Sequence, residues 1–205
     1  MVENITNWKL RIIGIFRQDY LAGFHTREMA KILETSHVTL LPHLNALEKE
    51  KVLVFSEQGR NKVYSLNLSN IIAREYMVMA EKAASIGLFS KSFLLKEIYT
   101  KIAAKNLNCI LLLFGSYAKG YSAKESDIDM YSIYFIGINN IKGIKEIGSL
   151  YNKQISLKET GVESFETALR NKDPLVREIM AGHIVLQNAD TFVALLWKYC
   201  NEHRT

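Results

Sequence analysis

Cysteine and proline are both scarce, with two of each in 205 residues. Cys109 and Cys200 stand far apart and form no Cys-x-x-Cys or metal-type spacing, which excludes a disulfide framework or a zinc knuckle and leaves both as small core residues. Pro42 and Pro174 are isolated, so no polyproline tract separates parts of the chain. There is no internal repeat or low-complexity tract, and a composition 48% hydrophobic and 23% charged argues against any long disordered stretch. Apolar runs such as Cys109 to Phe114 are too short to span a bilayer, and the first residues lack the basic-then-apolar layout of a signal peptide. A cytoplasmic protein with no membrane partner is expected. The five histidines include no ligand pair at helical spacing, His37 and His43 being six residues apart. Neither sign of charge dominates: 26 basic against 21 acidic side chains leave a net +5, which tolerates a polyanionic partner without naming one.

The length suits two domains of ordinary size. In the first, Trp8, Ile12, Ile13, Ile15 and Phe16 recur at helical spacing, and Met29, Ala30, Ile32 and Leu33 imply a second helix capped by Thr26. A third helix follows Ser36 or Thr39 and is expected to bury Leu40, Leu41, Leu44 and Leu47. A start at Thr39 would put Pro42 at the third helical position, where its missing N–H has no intrahelical partner anyway. The period then changes to two, with Val52 and Val54, then Val63 and Ser65, flanking a Gly59-containing loop, which predicts a hairpin. Residues 71 to 88 carry Ile72, Tyr76, Met79 and Ala83 at helical spacing, either a linker helix or a dimer helix.

In the second half, the apolar residues Leu111, Leu112, Leu113 and Phe114 read as a strand buried on both faces. They run into Gly115-Ser116, where backbone N–H groups and a hydroxyl can approach an anion closely. In Asp127-Ile128-Asp129 the strand period sends both carboxylates to one face, a geometry for oxygen ligands converging on Mg²⁺. Gly120 is the expected positive-φ end of the intervening turn.

Two resemblances follow from these residues. Ten residues separate Gly115-Ser116 from Asp127-x-Asp129, which is similar to the Gly-Ser-x10-Asp-x-Asp signature of the DNA polymerase β-like nucleotidyltransferases, above all their minimal branch. That resemblance implies Asp127 and Asp129 as catalytic residues and Mg²⁺ ligands, Gly115, Ser116 and Lys119 as nucleotide-binding residues, and a nucleoside triphosphate, ATP by preference, as ligand or substrate. Lys119 stands where the family often has Arg, keeping the charge but not the bidentate geometry. The family's third carboxylate falls at Ser156, a poor Mg²⁺ ligand, with Glu159 at a strand end and Glu163 in the loop beyond as the nearby acids.

The helix-helix-helix-hairpin order of the first seventy residues resembles the winged helix-turn-helix domains of prokaryotic transcription regulators. It implies His37, Thr39, His43 and Asn45 as base readers of double-stranded DNA, with Arg60 and Lys62 on phosphates. Nine basic against seven acidic side chains in residues 1–70 give such a domain little electrostatic pull, so a homodimer is expected.

The expected fold is therefore α+β: a winged helix-turn-helix over residues 1–70, a linker or dimer helix over 71–90, and a nucleotidyltransferase-like α/β domain with a small mixed sheet over 91–205. Two functions follow. One is a DNA-binding transcription regulator whose second domain holds Mg-nucleotide with weak or lost catalysis. The other is an active transferase of a nucleotidyl group to a protein or small-molecule hydroxyl, with a toxin-type protein partner, as in toxin–antitoxin minimal nucleotidyltransferases.

Overall fold

The computed structural model describes residues 7–59, 61–123, 125–135 and 143–204 of a mixed α+β chain. The chain folds as two compact units, Met1–Glu81 with Val193–Thr205, and Lys82–Phe192. The tail joins the first unit because Trp197 is buried there. Its indole N–H donates to the Leu68 carbonyl at 2.8 Å, and Tyr20 meets its ring edge-on at 5.9 Å. The second unit thus ends before Val193, whereas the sequence pattern predicts a second domain reaching residue 205.

In the first unit, α1 (Asn7–Gly14) passes into a short 3₁₀ turn (Ile15–Gln18), and α2 (Thr26–Ile32) and α3 (His37–Lys49) follow. A three-residue strand β1 (Gly23–His25), too short to leave a periodic signal, precedes α2. It pairs with β3 (Asn61–Leu66), which also pairs with β2 (Leu53–Gln58), giving an antiparallel sheet of order β1-β3-β2.

One expected cap shifts, and the other settles on the first of its two alternatives. The helix α2 begins one residue after His25, whose N–H donates to the Glu28 carboxylate at 2.7 Å, so the cap is His25 and not Thr26. The hydroxyl of Ser36 accepts from the Thr39 N–H at 3.1 Å and starts α3 at His37. Pro42 is then the sixth helical residue and lies in the interior, so the Val38 carbonyl loses its helical donor. Leu41 also differs from expectation: it is exposed, because the buried stripe is the narrower set Leu40, Leu44 and Leu47.

The helix α4 (Ile71–Lys91) runs through the division at Glu81. In the first unit it brings Glu81, with no exposed surface, to Arg17 at 2.8 Å, and Glu50 accepts from the buried Lys9 at 2.6 Å.

The second unit is built on a four-stranded mixed sheet of order β6-β5-β4-β7, from β4 (Cys109–Phe114), β5 (Ile128–Tyr134), β6 (Ile155–Gly161) and β7 (Ile184–Gln187). The strand β4 is buried at every position, antiparallel to both neighbours, while β5 and β6 are parallel. One face, carrying Leu111, Leu113, Ile128, Met130 and Ile155, packs with Leu95, Ile98 and Ile102 of α5 (Phe93–Ala103), and with Ile144 and Ile147 of α7 (Ile144–Ser149). Between β4 and β5 lies the single-turn α6 (Gly115–Lys119). After β6 come α8 (Val162–Arg170), where the sequence pattern predicts a loop, and α9 (Pro174–Met180), capped by Asp173. The last helix, α10, is Ala189–Glu202.

Candidate functional site in the second unit

The end of β4 and the starts of β5 and β6 converge on one carboxylate. Asp129 is the register partner of Phe114 on one side and of Ser156 on the other, so the Gly115 turn and Ser156 flank it along one sheet edge. Gly115 has φ +70, a conformation an L side chain rarely adopts, and a Cβ placed on it would lie 2.5 Å from Asp129 Oδ2. Glycine is therefore required on two counts: the turn needs the left-handed backbone, and the carboxylate fills the space a side chain would take. Gly120 closes the turn at φ 79, as its sequence position predicted.

Asp129 is half-buried, and burial raises its carboxyl above the usual carboxylate range. A hydrogen bond from the Ser156 hydroxyl and the Lys158 charge pull it back down, while the charges of Asp127 and Glu178 push it further up. Asp127, one residue before β5, is exposed. The stem of Lys119 lies over Gly182, whose Cβ would approach its Cε to 2.8 Å.

The structure thus brings Gly115, Asp127 and Asp129 together, with Ser116 and Lys119 on the same short turn. Two alternative acids do not join them. Glu159 sits in the middle of β6 rather than at its end and, by strand alternation, on the face opposite Ser156. Glu163 belongs to the first turn of α8, not to a loop. Besides Asp127, the acid whose charge bears on Asp129 is Glu178, on the exposed side of α9. Sequence reasoning passed over it because only the tertiary packing of α9 brings it there. Among the described residues no three His, Cys, Asp or Glu side chains group closely enough to hold a metal ion. Asp127 and Asp129 nevertheless suit a hydrated Mg²⁺, which keeps several waters and binds through one or two carboxylates plus phosphate. The repulsion bearing on Asp129 is what a cation would relieve.

His183 is buried, its ring against Phe192 at 5.0 Å and its Nδ1 3.3 Å from the Met180 carbonyl, and serves packing.

No protein-family model matches the chain, and none of the curated proteins does. One solved structure, titled "Crystal structure of the toxin-antitoxin with AMP-PNP", is similar at a TM-score of 0.31 and 19% sequence identity, over 47% of this chain and 76% of that one. A likeness that distant leaves the chemistry to be read from this chain's own residues.

In the first unit, His37 and Thr39 in the first turn of α3 and Asn45 farther along are exposed. His43 is half-buried and turned toward α1, where its ring stacks on Trp8 at 6.1 Å. The ammonium of Lys62 is held 3.0 Å from Glu48 and 3.7 Å over the Phe55 ring. Arg60 lies outside the described residues. Among the described residues no helix is long and apolar enough to cross a membrane.

Proposed function

We propose that the second unit binds a nucleoside triphosphate with Mg²⁺ in the manner of a nucleotidyltransferase, the observation carrying this being the close approach of the Gly115 turn to Asp129. A backbone this close to a carboxylate would place phosphate-binding N–H groups beside a residue able to hold a cation. Asp127 and Asp129 are the residues that would hold the ion, and the chemistry it would supply is neutralisation of phosphate charge. Gly115 and Ser116 line the phosphates, and Lys119 adds a positive charge. Heating the protein with and without Mg-ATP tests the reading: the wild type should be stabilised and the Asp127→Asn protein should not. Equal stabilisation of both would end it.

The first unit gives this nucleotide reading a transcriptional use. The exposed positions His37 and Thr39 at the start of α3 and Asn45 farther along support a helix offered to double-stranded DNA, which a homodimer would present twice. Lys62 is already paired, so the expected salt dependence is shallow. Binding to DNA from upstream of the protein's own gene, measured at several salt concentrations, checks it, and the absence of any binding refutes it.

Catalysis is the second reading, with the charge of Glu178 bearing on Asp129 without joining it as a third metal ligand. ATP labelled at its α-phosphate would then transfer its nucleotidyl group to a hydroxyl of a protein partner or small molecule, the hydroxyl giving up its proton and pyrophosphate leaving as the α–β phosphate bond breaks. Loss of label in the Asp129→Asn protein is expected, and its retention would exclude this site.

A further inference from the structure

The helix α4 is apolar on two sides. Ala73, Tyr76, Met77 and Ala80 are buried on one, yet Ile71, Ile72 and Ile86 on the other are 59, 50 and 64% exposed. At 100° per residue these three share one arc with Glu75, Met79, Lys82 and Ala83, none of which is buried. The outward arc of a helix is normally polar, and here it carries one acid and one base among aliphatic side chains. All of these positions belong to a single unbroken helix, so its rise alone sets their spacing. That spacing is symmetric about Met79. Ile72 lies about 10.5 Å before it and Ile86 about 10.5 Å after it, with Glu75 and Lys82 between them on either side.

We propose that this face is the contact of a two-fold dimer, in which α4 lies antiparallel on α4 of a second copy of this chain with Met79 at the axis. An isologous contact needs a patch that fits its own copy, and this one does when turned end for end. Ile72 then falls beside the opposite Ile86, Met79 meets its counterpart, and Glu75 comes within about one helical rise of the opposite Lys82. A parallel pairing would set Glu75 on Glu75 and Lys82 on Lys82, and like charges repel. Arg74 donates to Glu75 through Oε1 alone, an exposed contact that contributes little and leaves Oε2 able to accept from the opposite lysine. The proposal gives a surface to the homodimer of the DNA reading, but it stands on α4 and not on DNA.

Sedimentation velocity on the full-length protein over a range of concentrations, without DNA or nucleotide, reads the assembly. The wild type should be a dimer, and Ile86→Glu should be a monomer that keeps its helical circular dichroism, because Ile86 is exposed. Glu75→Lys alters only an exposed charge and should weaken the dimer about tenfold, since two symmetric pairs turn from attraction to repulsion. In a parallel dimer, which already sets like on like, the same change would leave the affinity unaltered. Oxidation should cross-link the Met79→Cys protein and not the Ile72→Cys protein, because only a residue at the axis meets its own copy; the native Cys109 and Cys200 are buried. A monomeric wild type, a dimer that persists in Ile86→Glu, unaltered affinity in Glu75→Lys or cross-linking through Ile72→Cys would each overturn the proposal. Loss of DNA binding by an intact dimer would refute the DNA reading alone, and DNA binding by a monomeric wild type would refute this surface alone.

Discussion

Replacing Gly115 by alanine separates a backbone effect from a site effect when Gly120→Ala is made beside it. Both glycines have positive φ, 70 and 79, so each alanine bears the left-handed cost of about 1–2 kcal/mol. For a chain of this size that corresponds to a fall in melting temperature of about 2–8 °C. The two sites differ in surroundings. Among the described residues no atom lies within 4 Å of a Cβ on Gly120, whereas at Gly115 it meets the Asp129 carboxylate at 2.5 Å and must drive it aside. With Mg-ATP at a hundred times its dissociation constant, the wild type gains about 2.7 kcal/mol, or about 5–11 °C. Gly120→Ala should keep that increment above its lowered baseline, and Gly115→Ala should lose most of it. Differential scanning fluorimetry with and without Mg-ATP reads both quantities at once. Equal ligand increments in the two alanine proteins would refute the argument that the turn and the carboxylate work as one site.

Asp129→Asn should flatten a pH dependence: the folded-state carboxyl is raised above its ordinary 3.8, so its stabilising contribution is full below that value and is lost as pH rises through the raised one. Acid-range melts compare the two proteins, and parallel curves would contradict the shift. Tyr20→Phe should raise stability by about 1 kcal/mol, because the Tyr20 hydroxyl is buried with no hydrogen-bond partner among the described residues; a lower denaturant midpoint would show that the hydroxyl is satisfied. Arg17→Met should cost about 3–5 kcal/mol by removing the cation that faces the fully buried Glu81, and recovery in the Arg17→Met, Glu81→Leu double variant is the check. Cys200, whose thiol burial pushes up to about 12, should resist iodoacetamide at pH 8 until the chain is unfolded, and rapid native labelling would argue against that burial.

Where local sequence decides structure, the sequence was legible. The apolar run Cys109 to Phe114 can only be satisfied by burial on both sheet faces, and β4 is buried throughout. The approach of Gly115 to Asp129 follows from strand pairing at known spacing. The start of α3 was less legible because Ser36 and Thr39 are both good caps, and only the packed stripe of Leu40, Leu44 and Leu47 chooses between them. Glu178 was invisible for a different reason: it is distant in sequence from the Asp pair and carries no local signal that sets it apart from an ordinary surface charge.

The burial of Trp197 beneath the Leu68 carbonyl has a consequence for biosynthesis. Residues 82–192 interrupt the first unit in the chain, so a ribosome delivers all of the second unit before the helix that completes the first. The second unit can collapse on the sheet while translation continues. The first gains the contacts of residues 193–205 only after the whole of the second has been made, and a stop codon shortly before Val193 would leave it without them.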